Sequence, residues 1–251
     1  MVKGKKVKDP LSQGLPSRIY LAAYPKPKTG YKIAEMILPG SKPQNTAGRV
    51  TKTMLEYREY FDIKYVRVSE IKVKALFCSK AQPLLNRLAE ECGLEPSEKK
   101  MLEGYLETDF RAAVGEHLRG LLKGSPDFLS RDVNAFETLT GLLAFIFYIA
   151  KIYISAPEPV RTFMSVVSHI APRIMGEEEN TIKRYIRLVS ELPKKVPPNL
   201  IIKVHEKTMT RIKIPHEMVP ETLQLLEDYI DVVGKNPKLV LEAIKRMKEQ
   251  T

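Results

Sequence analysis

Asn45-Thr-Ala-Gly-Arg-Val-Thr-Lys-Thr-Met-Leu-Glu-Tyr-Arg-Glu-Tyr-Phe61 is the stretch on which the reading of this chain turns. Val50, Met54, Tyr57 and Phe61 recur at four, three and four residues, the spacing of a single buried stripe on an α-helix. Asn45 has the side chain to cap that helix. At about 100° per residue, the opposite face carries Asn45, Gly48, Arg49 and Lys52 in its first turns and Glu56 and Glu59 later. Donors come first and carboxylates last. That order suits a helix that meets a polyanion by its N-terminal end, although a merely solvated face would carry the same residue types.

The flanks weigh on that choice. Downstream, Ile63, Tyr65, Ile71, Val73, Ala75 and Phe77 alternate with Lys64, Lys72 and Lys74, the period-two pattern of half-buried strands. Two strands joined around Ser69-Glu70 predict a hairpin with Arg67, Lys72 and Lys74 turned outward, along a phosphate backbone. Upstream, a short helix is expected from Pro16 through Ile19, Tyr20 and Ala23 to a stop at Pro25-Lys26-Pro27. Thr29 can cap a second helix, Gly30 to Ile37, with Ile33, Ala34 and Ile37 on its apolar face and Leu38-Pro39-Gly40 at its end. Residues 1–13, with Lys3, Lys5, Lys6 and Lys8, read as a basic flexible arm.

The order Ser17-Arg-Ile-Tyr-Leu, Thr29-Gly-Tyr-Lys-Ile-Ala-Glu, hairpin, then a helix from Lys80 to Cys92 with Leu84, Leu85 and Leu88 resembles the winged helix-turn-helix transcription regulators of archaea and bacteria. The resemblance spans Ser17 to Gly93 and implies a fold of three helices plus a hairpin wing that binds DNA. The fold class expected is therefore mainly α: a winged helix-turn-helix over residues 14–93, followed by a larger helical domain with a small second hairpin.

Charge is distributed to match. Residues 1–80 hold 17 Lys and Arg against 6 Asp and Glu, a net of +11, and the whole chain also carries +11, so the remainder is neutral. A basic patch confined to one segment calls for a polyanionic partner there, nucleic acid or an anionic membrane surface. Cys78 and Cys92 form no Cys-x-x-Cys pair and no apolar leader follows the basic start, which predicts a cytoplasmic protein with reduced thiols.

Beyond Gly93 the reading is helical. Pro96 opens a long helix to Lys123, and Leu139 to Ile154 is apolar on every face. That run has 16 residues, includes Lys151 and is bounded by Glu137 and Pro157, short of the ~20 residues of a membrane span, so it is expected in a core or dimer contact. Helices follow over 157–175 and 181–192, so residues 94–192 are assigned to dimerisation or effector sensing. Pro193 to Pro198 reads as a linker. Residues 199–251 are assigned a hairpin around Glu206-Lys207, from weak alternation over Leu200 to Ile214, and helices over 220–233 and 237–248.

Signatures of catalysis are missing. His117, His169, His205 and His216 lie at no metal-ligand spacing, and there is no phosphate-binding glycine loop, dinucleotide fingerprint or nucleophile elbow. No cofactor or metal is expected. The function predicted is a sequence-specific regulator of double-stranded DNA acting as a homodimer, with no membrane and an effector that the sequence does not identify. Base-edge contacts fall to Asn45, Thr46, Arg49 and Lys52, and phosphate contacts to Lys28, Lys32, Arg67, Lys72 and Lys74. Two alternatives stay open: a protein-interaction or scaffold module built on a winged helix, and a nucleic-acid-processing enzyme with its site in the helical region.

Overall fold

A computed structural model of the chain describes residues 9–70, 73–155 and 191–209. The described part is mainly helical with one two-stranded antiparallel sheet. In chain order the elements are α1 (Gly14–Ala23), α2 (Gly30–Ile37), α3 (Pro43–Glu56), β1 (Phe61–Arg67), β2 (Val73–Ser79), α4 (Gln82–Cys92), α5 (Pro96–Glu107), α6 (Asp109–Gly124), α7 (Ala135–Ser155) and α8 (Pro198–Thr208). The chain divides into two compact units, Met1–Thr140 and Gly141–Thr251.

In the first unit, α2 forms as its residues dictate. The Thr29 side chain accepts from Lys32 N at 3.2 Å, and Ile33, Ala34 and Ile37 are buried. The turn that follows is five residues long, closed by Ser41 N donating to Leu38 O at 3.2 Å and bent at Gly40, whose φ of 86° favours glycine. Here the structure corrects the expected cap: α3 starts at Pro43, two residues before Asn45, because the fixed φ of proline suits the opening turn. Val50 and Met54 are buried as their spacing requires, but the helix stops at Glu56. Tyr57 leaves helical dihedrals (φ −111°, ψ 38°), a 3₁₀ turn covers Arg58–Tyr60, and Phe61 begins β1. An aromatic cluster explains the departure, since the rings of Tyr60 and Phe61 pack against Tyr20 with centroids 6.5 and 6.0 Å away.

Helix α1 is the centre of this unit. Ile19, Tyr20, Leu21, Ala22, Ala23 and Tyr24 are all fully buried. They meet α2, α3 and β2, while the Tyr24 hydroxyl donates to Leu106 O in α5 at 3.1 Å and its ring packs on Phe110 in α6. Buried Ser17 ties α1 to the entry of α7: its hydroxyl donates to Val133 O at 2.7 Å and accepts from Ala135 N at 2.8 Å. Arg111 on α6 joins α1 to β2, with its guanidinium on Tyr24 O, on Ser79 O at 2.7 Å and on the Glu107 carboxylate at 2.8 Å. Arg87 on α4 lies 3.9 Å over the Phe136 ring and pairs with Asp9 at 2.8 Å.

Two readings downstream are corrected. The single helix expected from Pro96 to Lys123 is broken at Thr108 (φ −117°, ψ −87°) into α5 and α6. The break brings Tyr105 and Phe110, which a continuous helix would set about 140° apart, into one core with ring centroids 6.2 Å apart. The expected second hairpin is instead helix α8. Its buried residues Leu200, Ile201, Val204, His205 and Thr208 follow a helical stripe that weak alternation had disguised. The linker over 193–198 shrinks to Val196-Pro197, because residues 191–195 are helical and Leu192 and Val196 are buried.

The apolar run lies in α7, a helix long and apolar enough to cross a membrane by length and composition. Phe136, Leu139, Leu143, Ala144, Ile146, Phe147 and Ala150 on it are buried within the protein. In the second unit, Tyr148 of α7 packs on His205 of α8 with ring centroids 5.3 Å apart. Cys78 and Cys92 form no disulfide, and Cys92 is buried. The first eight residues of the basic arm, Ile71 and Lys72, the helices expected over 157–175, 220–233 and 237–248, most of that expected over 181–192, and residues 210–214 lie outside the described residues.

Candidate nucleic-acid interface

The exposed face of α3 carries Gln44, Asn45, Gly48, Arg49, Lys52, Leu55 and Glu56, with Thr46 half-buried at its margin. The buried face is Val50, Thr53 and Met54, which pack the helix onto the body. Asn45, Thr46, Arg49 and Lys52 thus all belong to the first three turns of α3. Asn45 spends only its backbone on the fold, its amide closing the opening turn on Lys42 O at 3.1 Å. A Cβ at Gly48 would meet no atom within 4 Å, so no packing demand explains a glycine there, at a cost of about 1 kcal/mol relative to alanine in a helix.

Another glycine lies where α2 meets α3. A Cβ on Gly30 would lie 2.5 Å from Thr51 Oγ1 and 3.5 Å from Ala47 O, so with Thr51 in its present rotamer there is no room for a side chain at residue 30 where α2 meets α3.

The hairpin follows α3 directly. Its register pairs Phe61 with Ser79, Ile63 with Phe77, Tyr65 with Ala75 and Arg67 with Val73. Buried Phe61, Phe77 and Ser79 root it in the body, and every described residue from Lys64 to Glu70 is exposed. Strand alternation separates residues expected together. Arg67 shares a face with Tyr65 and Val73, whereas Lys74 lies on the other face opposite Val66, with Lys64 diagonal to it. The Arg67 guanidinium closes the tip by donating to Glu70 O at 2.9 Å. Lys64, which the sequence reading left out, joins the exposed basic set; its alternation with Ile63 and Tyr65 was the signal.

Lys28 has a different place from that expected. Its backbone makes an antiparallel bridge to Phe77, N to O at 2.9 Å and O to N at 2.8 Å, and so fastens β2 to the α1–α2 connection. Its ammonium turns inward to donate to Ala22 O at 2.6 Å. Burial, with a smaller contribution from neighbouring Lys26, lowers its pKa from 10.5 to about 8. Lys32 is exposed on α2 and paired with Glu35 at 2.5 Å; that hydrogen bond and charge raise its pKa.

Beside this surface, Asp9, Glu59, Tyr60, Lys80, Arg87 and Glu90 help line an open groove of about 490 Å³. Acids and bases alternate there, so it does not extend the positive face. Among the described residues, no group of three His, Cys, Asp or Glu side chains is placed to hold a metal ion. Comparison of the chain with protein-family models, with curated proteins and with solved structures finds no match.

Proposed function

We propose that residues 14–93 act as a winged helix-turn-helix on double-stranded DNA, and that the protein is a sequence-specific, cytoplasmic transcription regulator working as a homodimer. The observation that carries the reading is the face of α3 on which Asn45, Arg49 and Lys52 surround Gly48 with open space above it. Donors that can reach base edges are grouped with a residue that lets a duplex come close to the helix backbone. The basic hairpin next to it, anchored at its base by the Lys28 bridge, supports the same reading.

In this reading Asn45, Thr46, Arg49 and Lys52 contact base edges. Lys32, Lys64, Arg67, Lys72 and Lys74 contact phosphates, and Lys28 holds the sheet rather than the ligand. Dimerisation would join two half-sites and supply the affinity that one small module lacks. The neutral helical remainder is assigned to that task and to effector sensing.

Gly48→Gln provides the decisive test. The substitution improves helix propensity, so the free protein should unfold at the same or a higher temperature. Its duplex affinity, read by fluorescence anisotropy, should fall at least tenfold as the side chain fills the space the duplex needs. Arg49→Ala should relax sequence preference. Lys72→Ala with Lys74→Ala should flatten the dependence of log K on log salt by about one unit per lost contact. Unaltered affinity in Gly48→Gln with an unaltered salt slope in the lysine pair would refute the interface.

A further inference from the structure

The outer half of the hairpin is not built only for phosphate. Tyr65 is 72% exposed, Val66 44%, Val68 52% and Val73 58%. On one face the cross-strand pairs run outward from the rooted Ile63 and Phe77, through Tyr65 and Ala75, to Arg67 and Val73. The partner of Tyr65 is small, so the ring stands largely uncovered by its cross-strand neighbour. On the other face Val66 lies opposite Lys74, with Lys64 beside them. Residues 64–74 contain four basic side chains, Lys64, Arg67, Lys72 and Lys74, against the single carboxylate of Glu70.

A strip that merely followed a phosphate backbone would be served by lysine, arginine and small hydroxyl side chains; valines offer phosphate nothing. Exposed apolar side chains on an open two-stranded ribbon also invite aggregation, so their presence calls for a partner with an apolar surface. Positive charge interleaved with an aromatic ring and aliphatic side chains matches a strand whose bases are uncovered. The cations meet phosphates, the ring stacks on a base, and the valines sit against unstacked faces.

We infer that the outer half of the hairpin, at Tyr65, Val68 and Val73, is a base-stacking wedge and that the preferred ligand is duplex DNA with an unpaired or unstacked step beside the site held by α3. Tyr65 is the stacking residue, Val68 and Val73 extend the wedge, and Lys64 and Lys74 hold the phosphates that flank the opened step. This inference rests on the DNA reading above and adds to it the state of the duplex that is bound.

The test compares three probes in fluorescence anisotropy with the full chain: an intact duplex, the same duplex with a two-nucleotide mismatch bubble, and vesicles containing phosphatidylglycerol. A 2-aminopurine in the bubble reports stacking directly. The bubble duplex should bind about tenfold more tightly than the intact one, the contribution of stacking roughly one base on an aromatic ring. The 2-aminopurine emission should change on binding. Tyr65→Ala should abolish both the preference and the emission change, leaving intact-duplex affinity within twofold; Tyr65→Trp should keep both. Tyr65 is exposed, so neither variant disturbs the core, and circular dichroism checks that each is folded. Equal wild-type affinity for intact and bubble duplexes would overturn the wedge and leave the DNA reading standing. Equal losses on both probes in Tyr65→Ala would also overturn it, as would tighter binding to vesicles than to the bubble. Failure to bind any duplex would remove the DNA reading and the wedge together.

Discussion

Replacing Gly30 with Ala is a sensitive probe of how α3 is presented. The new Cβ would lie 2.5 Å from Thr51 Oγ1, well inside contact distance, and 3.5 Å from Ala47 O, which is ordinary contact. Either the Thr51 side chain rotates away or α2 and α3 separate. Overpacking of this kind costs about 1–3 kcal/mol, and the lower chain entropy of alanine returns about 0.5–1 kcal/mol. The expected net loss is about 1 kcal/mol, or a fall of about 2–4 °C in Tm for a chain of this size. Thr51→Ala removes the obstructing atom, so Gly30→Ala made in that background should be neutral or stabilising. Urea unfolding followed by circular dichroism supplies the four corners of the cycle, with an expected coupling of about 1–2 kcal/mol. Simple additivity, with the two changes summing to within about 0.3 kcal/mol, would refute the claim that Thr51 Oγ1 is what a side chain at residue 30 meets. On the DNA reading proposed above, a distortion here should also weaken duplex binding, because Asn45, Arg49 and Lys52 move with α3.

Ser17→Ala should destabilise the protein by about 1–3 kcal/mol in urea unfolding, since it leaves Ala135 N and Val133 O without the hydroxyl that serves both. Arg111→Ala should cost about 3 kcal/mol by stripping Tyr24 O, Ser79 O and Glu107 of a common partner, and Arg111→Lys should recover only part, because one ammonium cannot reproduce the guanidinium fork. Lys28 should impose a pH dependence. Its folded pKa of about 8 lies below the usual 10.5, so between those values the unfolded chain holds more protons and stability rises with pH. Urea midpoints taken from pH 7.5 to 10 should show that rise in wild type and lose it in Lys28→Met. Above pH 10 the buried phenols of Tyr20 and Tyr24, whose pKa values burial raises, act in the opposite direction.

What the sequence revealed and what it concealed divide along the line between local and tertiary causes. Helix α2 was legible because Thr29, Ile33, Ala34 and Ile37 act within one short segment. The α3 face was legible because Val50 and Met54 fix which side is buried. The register of the hairpin was not. A two-residue turn at Ser69-Glu70 would set Arg67 opposite Lys72, whereas the observed pairing sets it opposite Val73, and a shift of one residue reverses the face of every side chain on one strand. The break at Thr108 answers to Tyr105 and Phe110 meeting in a core that neither residue announces alone. The inward turn of Lys28 depends on Ala22 O and on β2, partners six and 49 positions away.

The burial of α1 from Ile19 to its end bears on where the chain can be cut. A fragment ending at Gly93 would keep α2, α3 and the hairpin but strip Tyr24 of Leu106, Phe110 and Arg111, and Ser17 of Val133 and Ala135. The Tyr24 ring would be uncovered toward α6 and the Ser17 hydroxyl would lose its two closest partners, at a helix that packs on α2, α3 and β2. A fragment that keeps these contacts therefore extends at least to the start of α7, and the helices between the hairpin and α7 are part of the scaffold on which α1 rests.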